Sequence, residues 1–345
     1  MTTATKATPE AAGVSPDRIM QLGLGFWGSK TLLSAVELDL FTALSDEPVD
    51  GETLRQRIGL HRRAAHDFFD ALVALGMLER QDGIYRNTPE TALYLDRNKP
   101  SYVGGFLRLA DAKLYPIWGS LTAALRTGTP QSGVKDGEDI FDVQYADRQS
   151  VAQYGQAMTG ASLRIARALA QRFPWTEYRS FIDVGAAQGV VPVEIGRAHP
   201  HLSGGGFDLP LVRPVFEAYV RQHGLEDRLR FYPGDFFKDP LPTADVLVMG
   251  HILHDWDLPS KRDLLAKAHA ALPAGGVLIV YDWMIDDDRR KNAAGLLMSL
   301  NMLVRTRGGF DYTGADCIGW MRAAGFNDVR REHLEGACSM VAGIK

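Results

Sequence analysis

The stretch Phe181-Ile182-Asp183-Val184-Gly185-Ala186-Ala187-Gln188-Gly189 is a short apolar run that breaks into small residues. Three further runs have the same form: SGGGFDLP at 203–210, ADVLVMG at 244–250 and GGVLIVYD at 275–282. Each ends in or near Gly or Asp, and helix-length segments such as KRDLLAKAHAALPAGG at 261–276 separate them. Short continuous strands alternating with helices predict an α/β fold with a mainly parallel sheet covered on both faces. Ligands in such sheets bind beyond the carboxyl ends of the strands, so the residues that close these runs are the ones to read for chemistry.

Small residues at 185, 186, 187 and 189 allow a ligand to lie against the backbone where the first strand turns into a helix. A dinucleotide fingerprint needs Gly at its first, third and sixth positions; here these are Gly185, Ala187 and Val190, so a pyrophosphate cradle is not encoded. Asp208 closes the next run, 23 residues after Gly185, where a carboxylate accepts from both hydroxyls of an unmodified ribose. Asp235 follows a further strand at 228–232 and suits the exocyclic amine of an adenine, with Phe236 against the ring. Taken singly these are ordinary loop acids. Taken in this order they describe an adenosyl pocket without phosphates, which points to S-adenosylmethionine.

The run at 244–250 continues as His251-Ile252-Leu253-His254-Asp255-Trp256. A histidine just past a strand end is suited to proton transfer at neutral pH, and His254 and His251 are rivals for that role. Asp282, closing the last run, should reach the same face as His254. Ser260-x-x-Asp263 reads as a capping box opening the next helix. No His/Asp cluster with ligand spacing is apparent, and no metal is expected.

Upstream, residues 19–44 are apolar around most of a helix circumference, which implies burial, with a second subunit as one source of the covering surface. Residues 49–88 then read as two short helices and a two-stranded ribbon, the order of a winged helix: Leu72, Leu75 and Leu78 give a periodic face, Gly76 ends the helix, and Asp82-Gly83 is the hairpin turn. Arg55, Arg57, Arg62 and Arg63 would be a DNA-binding face, but residues 1–100 hold 11 Lys and Arg against 14 Asp and Glu, a net −3 that disfavours a nucleic-acid duplex. The boundaries expected are 16–100 for this unit and 101–345 for the rest, the latter a helical connector at 101–175 followed by the sheet at 176–345. Within the connector, 102–112, 114–126 and 151–173 have helical spacing, and TGTPQSGVKDGED at 127–139 is a loop.

The chain has 345 residues, a formal charge of −4 and 46% hydrophobic residues, ordinary globular composition with no general attraction to phosphate backbones or anionic membranes. Cys317 and Cys338 stand alone, which fits a reducing compartment and no disulfide framework. The polar N-terminus lacks the apolar stretch of a signal peptide, and no run is long enough to span a bilayer. A cytoplasmic protein without a membrane or nucleic-acid partner is expected.

FIDVGAAQG, GFDLP, GDFF, HDW and RGGFDYT together resemble, in order and spacing, the S-adenosylmethionine-dependent O-methyltransferases of the plant caffeate and flavonoid type, their acetylserotonin relatives and bacterial natural-product tailoring methyltransferases. The resemblance covers nearly the whole chain. It implies a Rossmann-like class I methyltransferase domain preceded by an all-helical winged-helix dimerisation domain, and hence a homodimer. It implies S-adenosylmethionine as cofactor, S-adenosylhomocysteine as product and a small aromatic or heteroaromatic acceptor. Gly185, Asp208, Asp235 and Phe236 fall on the family's cofactor positions and His254 on its general base. Asp282 and Asp311 stand where the family has two glutamates beside that histidine. Met158 and Met302 match methionines that sandwich the acceptor, and His251 stands where plant members carry an aromatic residue, near the substrate. A lysine four residues before the histidine is replaced by Gly250. N-methylation of a heterocycle, a hydroxylation, decarboxylation or pericyclic reaction on the same scaffold, and a DNA-binding regulator are the alternative readings.

Overall fold

The computed structural model describes residues 14–133 and 140–345; the start of the polar N-terminus and most of the second half of the 127–139 loop lie outside the described residues. The chain divides into two compact units, Met1–Pro100 and Ser101–Lys345.

In the first unit the apolar run at 19–44 forms three helices rather than one: Asp17–Gly23, Gly25–Glu37 and Leu40–Ala43. The break before the third falls at Asp39, whose φ of 56° is left-handed. Leu33, Val36, Leu40 and Phe41 are buried, whereas Ile19, Leu22, Phe26 and Trp27 are half or more exposed. Helices Gly51–Arg57 and Arg62–Ala74 follow. Asp50 caps the first of them, its Oδ1 accepting the Glu52 and Thr53 backbone N–H groups. The expected ribbon is present as β2 (Leu78–Gln81) and β3 (Ile84–Asn87), turning through Asp82 and Gly83, both at positive φ as a type I′ turn requires. A third strand, β1 (Val49–Asp50), adds to its edge in the order β1-β3-β2, so the unit is helical but carries a small sheet. The Tyr85 hydroxyl donates to Asp70 and Arg80 pairs with the same carboxylate, tying the ribbon to helix Arg62–Ala74. One expectation fails here: Leu75 is exposed and Leu78 belongs to β2, because Gly76 ends the helix between them.

The second unit is built on a seven-stranded sheet in the order β6-β5-β4-β7-β8-β10-β9. β4 (Ser180–Val184), β5 (Ser203–Asp208), β6 (Leu229–Pro233), β7 (Val246–Gly250) and β8 (Val277–Asp282) run parallel. β9 (Asn327–Glu335) and β10 (Cys338–Ile344) are antiparallel to β8 and to each other. Alternate residues point to opposite faces. Phe181, Val246, Val248, Val277 and Ile279 pack on one side with helices Arg148–Arg172, Val190–Ala198 and Arg213–Gln222; Ile182, Leu247, Met249, Leu278 and Val280 pack on the other with helices Leu258–Ala271 and Gly314–Ala323. Strand order reverses between β4 and β7, so a crevice opens beyond their carboxyl ends.

The helix after β7 starts two residues before the expected capping box. Its cap is Asp257, whose Oδ1 accepts the Ser260 N–H, leaving Ser260 inside the first turn. Pro259 favours this earlier start, since proline is suited to the first helical turn. No helix among the described residues is long and apolar enough to cross a membrane.

Candidate active site

The crevice at the switch point is a cleft of about 1170 Å³, solvent at its mouth included. Gly185, Ala186, Ala187 and Gln188 form its floor after β4; Asp208 and Leu209 come from the end of β5, Gly234 to Phe237 from beyond β6, and Gly250, His251, Ile252, Asp255 and Trp256 from beyond β7. Met158, Tyr154, Tyr145 and Phe141 close it from the helical connector.

Gly185 is favoured by its backbone, whose φ is 78°, and a Cβ there would lie 2.2 Å from Ile252 Cδ1, so that side chain would have to move. Ala187, also at positive φ (46°), turns its N–H onto Asp208 Oδ2 at 2.8 Å, and Leu209 N–H donates to Oδ1 at 2.7 Å. The buried Asp208 thus keeps one accepting position on each oxygen. Burial pushes its pKa up to about 6, against the lowering effect of these two N–H donors. Asp183, one strand position inside the cleft and close to Asp208, is pushed well above the ordinary range by burial and by its neighbour's charge. Asp235 is held below the usual range: burial raises it, but the Lys238 ammonium and the Phe237 N–H outweigh that. Phe236 lines the cleft with its ring edge-on to Trp256.

The end of β7 meets the end of β8 and the loop carrying Asp311. His254 Nδ1 lies 3.3 Å from Asp311 Oδ1 and 3.6 Å from Asp282 Oδ1, and its Nε2 lies 3.8 Å from Asp255 Oδ2. His251 Nδ1 lies 3.3 Å from the same Asp282 oxygen, while the Tyr312 hydroxyl donates to the other. The donor atoms of His251, His254 and Asp282 fall within 4.8 Å of one another, a proximity that sequence spacing does not reveal. Burial opposes charging of His254, yet Asp282, Asp255 and Asp311 together raise its pKa to about 10. Burial lifts Asp255 to about 6.

Protonated His254 therefore stabilises the fold. Its value in the folded chain lies above the ordinary 6.5, so the contribution is complete below about pH 6.5 and is lost as pH rises through about 10. The melting temperature of the wild type, relative to a His254→Gln variant, is expected to fall across that interval in calorimetric scans. A difference that stays flat with pH would show that the imidazole is neutral throughout.

Gly250 has a local cause. It pairs with Tyr281 on β8, and a Cβ at 250 would lie 1.8 Å from the Tyr281 ring, which fills the place of a side chain. Lys261 is a residue that sequence reading passed over. Fully buried, it donates from Nζ to Trp256 O and lies 3.4 Å from the Phe310 ring centroid, joining the His254–Trp256 turn to the loop of Asp311. Burial lowers its pKa to about 8, although Asp282 and Asp311 pull the other way.

The structure brings Gly185, Asp208, Asp235, Phe236, Met158 and His251 to the cleft wall. Asp282 and Asp311 converge on His254, whose side chain is only 8% exposed and does not line the cleft. Met302 does not reach the cleft wall either. It is 1% exposed, because helix Ala293–Arg305 turns it inward with Asn301 and Val304. Tyr145, Tyr154, Phe141 and Trp256 are wall residues that the sequence pattern did not single out.

Residues 118–327 match the model of the O-methyltransferase domain and residues 20–97 that of the O-methyltransferase dimerisation domain. The tetracenomycin polyketide synthesis 8-O-methyl transferase TcmO of Streptomyces glaucescens is 47% identical over 98% of this chain and 99% of its own. The chain belongs to the O-methyltransferase family. The N,N-dimethyltransferase OxyT of Streptomyces rimosus is 41% identical over 81% of each chain. Human N-acetylserotonin methyltransferase, solved in complex with S-adenosylmethionine, superposes with a TM-score of 0.89 at 27% identity, covering 97% of this chain and 99% of that one. The protein is an S-adenosylmethionine-dependent methyltransferase with a class I fold and a helical dimerisation domain. The cleft fits that cofactor: its spare acceptors at Asp208 and Asp235 match hydroxyl and amine donors, and its backbone floor carries no basic group for phosphates.

Proposed function

We propose that this enzyme methylates a hydroxyl of a planar aromatic polyketide, with Gly185, Asp208, Asp235 and Phe236 holding the cofactor and His254 accepting the proton. The observation that carries this reading is one cleft on which both the Asp208–Asp235 rim and the His251–Asp255 turn open, walled by Phe141, Tyr145, Tyr154, Phe236 and Trp256. Flat aromatic walls suit a flat acceptor, and the tetracenomycin relative acts in polyketide synthesis.

S-adenosylmethionine, when bound, supplies a methyl group already made electrophilic by its sulfonium. What remains for the chain is alignment and proton removal. Asp208 and Asp235 anchor the two ends of the adenosyl group, and Met158 with the aromatic walls fixes the plane of the acceptor. Asp282 and Asp311 orient His254 through Nδ1, so that Nε2, on the Asp255 side, accepts the hydroxyl proton where pH leaves the ring neutral.

Incubation of the enzyme with S-adenosylmethionine and hydroxyanthraquinone or hydroxynaphthoate probes should give products heavier by about 14 mass units, with NMR placing the methyl on oxygen. A methyl on nitrogen with an amino-substituted probe would favour the second reading, N-methylation, which the OxyT likeness supports. Product of unchanged mass would overturn methyl transfer as the physiological reaction.

The dimerisation domain further supports a homodimer joined through residues 16–100. Ile19, Leu22, Phe26 and Trp27 are the exposed apolar residues that a second copy would cover. Light scattering at micromolar concentration should give twice the 38.0 kDa chain mass, and a monomer would contradict the assignment. A cytoplasmic location without nucleic-acid partners is consistent with two buried unpaired cysteines, and with Arg55 and Arg57 already paired to Glu52 and Glu47.

A further inference from the structure

Two imidazoles stand beyond β7, and their surroundings differ. His254 has a carboxylate against each ring nitrogen, Asp311 and Asp282 at Nδ1 and Asp255 at Nε2. His251 has a carboxylate at Nδ1 alone, Asp282 Oδ1 at 3.3 Å. Its Nε2 has no hydrogen-bond partner among the described residues, and it is His251, not His254, that lines the cleft. The Asp282 oxygen facing both imidazoles is buried and, among the described residues, accepts no well-aligned hydrogen bond, so its charge is free to hold an N–H of either ring.

We propose that His251 is a second general base of the reaction, taking the acceptor proton on Nε2 while Asp282 holds its Nδ1–H. The inference rests on the hydroxyl-methylation reading above. The acceptor O–H bond breaks, the Nε2–H bond forms, and the oxygen's electron pair goes to the methyl carbon, whose bond to the sulfonium breaks with its electron pair left on sulfur, so that S-adenosylhomocysteine leaves. The imidazolium so formed is stabilised by Asp282 and returns its proton to solvent through the cleft.

The backbone shows that this position is built. His251 adopts φ 55°, a left-handed conformation that is uncommon outside glycine. Its N–H donates to Tyr281 O at 3.0 Å, continuing the β7–β8 ladder, and its ring stands perpendicular to the Tyr281 ring at 5.2 Å between centroids. Gly250 is what allows the Tyr281 ring to lie there. The charged and titratable groups facing His251 are thus Asp282 and Tyr281 from β8, His254 from its own turn at 5.6 Å between centroids, and Asp311 from the opposite loop. Three carboxylates favour the protonated form of His254 and raise its pKa to about 10. His254 is thus available as a base in the alkaline range, and His251 is the imidazole that lines the cleft.

The test compares two acceptors at about pH 7: 1-hydroxyanthraquinone, whose hydroxyl is held by an internal hydrogen bond, and a dinitronaphthol, already ionised. Two variants are made, H251F and H251N, the second because asparagine tolerates a left-handed backbone. Turnover of the un-ionised acceptor should fall by about tenfold or more in both, that of the ionised one by less than about twofold, with S-adenosylhomocysteine affinity retained in calorimetry. Equal losses on both acceptors would reduce His251 to a structural residue and overturn the proposal, as would no loss on either. A wild type that methylates neither would instead sink the hydroxyl-methylation reading, and His251's role with it.

Discussion

Glutamine in place of His254 is expected to lower turnover of 1-hydroxyanthraquinone near pH 9.5 by about 100-fold or more while leaving S-adenosylhomocysteine affinity within about threefold. The reason is electrostatic. Asp282, Asp255 and Asp311 make His254 a strong base with a pKa of about 10, strong enough to take a proton from a poorly acidic hydroxyl, but only where pH leaves it unprotonated. The wild-type rate should therefore climb from neutral pH toward about 10, and His254→Gln should lose the climb. Single-turnover rates measured across that range decide it. Retention of the climb in the variant would assign it to the acceptor's own ionisation. Asp311→Asn, which removes the closest carboxylate, should move the same climb to lower pH, because the imidazolium loses one of its three supporting charges. A structural role for Asp311 would reduce the rate without moving the profile.

The parallel core was legible because β4, β5, β7 and β8 are continuous apolar runs with small or acidic residues at their ends, and both features have direct physical causes. β9 and β10 were not. Asn327–Glu335 is mostly charged and shows only two buried positions, Val329 and Leu334, and an edge strand of that composition has no periodic signal to read. The run at 19–44 is apolar around most of a helix circumference, yet it forms three helices and not one, since nothing in its composition marks the left-handed turn at Asp39. The convergence of Asp282 and Asp311 on His254 followed from strand ends and family spacing. That His251 rather than His254 lines the cleft is a matter of packing in three dimensions, and the spacing of the two histidines does not show it. Met302 shows the converse: a methionine at the expected position, turned inward by the phase of its helix. Lys261 was hidden because a lysine in the first turns of a surface-length helix reads as solvated, and only the packing of Phe310 over its ammonium reveals that it is buried.

Alanine in place of Asp208 should weaken S-adenosylhomocysteine binding by tenfold or more. The carboxylate already takes one N–H on each oxygen, from Ala187 and Leu209, and its two remaining positions are suited to the two ribose hydroxyls. Hydrogen bonds to a charged acceptor contribute about 1.5–3 kcal/mol each, so loss of even one exceeds a factor of ten. Burial adds a pH signature. With the folded value raised to about 6, the carboxyl is largely protonated below that pH and charged above it, and affinity should rise as pH climbs from about 5 to about 7. Asp255 shares the cleft and the same raised value, so the slope must be apportioned. Asp208→Asn should abolish it and Asp255→Asn should leave it in place, both read by calorimetry with S-adenosylhomocysteine. If Asp208→Ala folds and binds as tightly as the wild type, the ribose is held elsewhere and the end of β5 is not the cofactor's anchor.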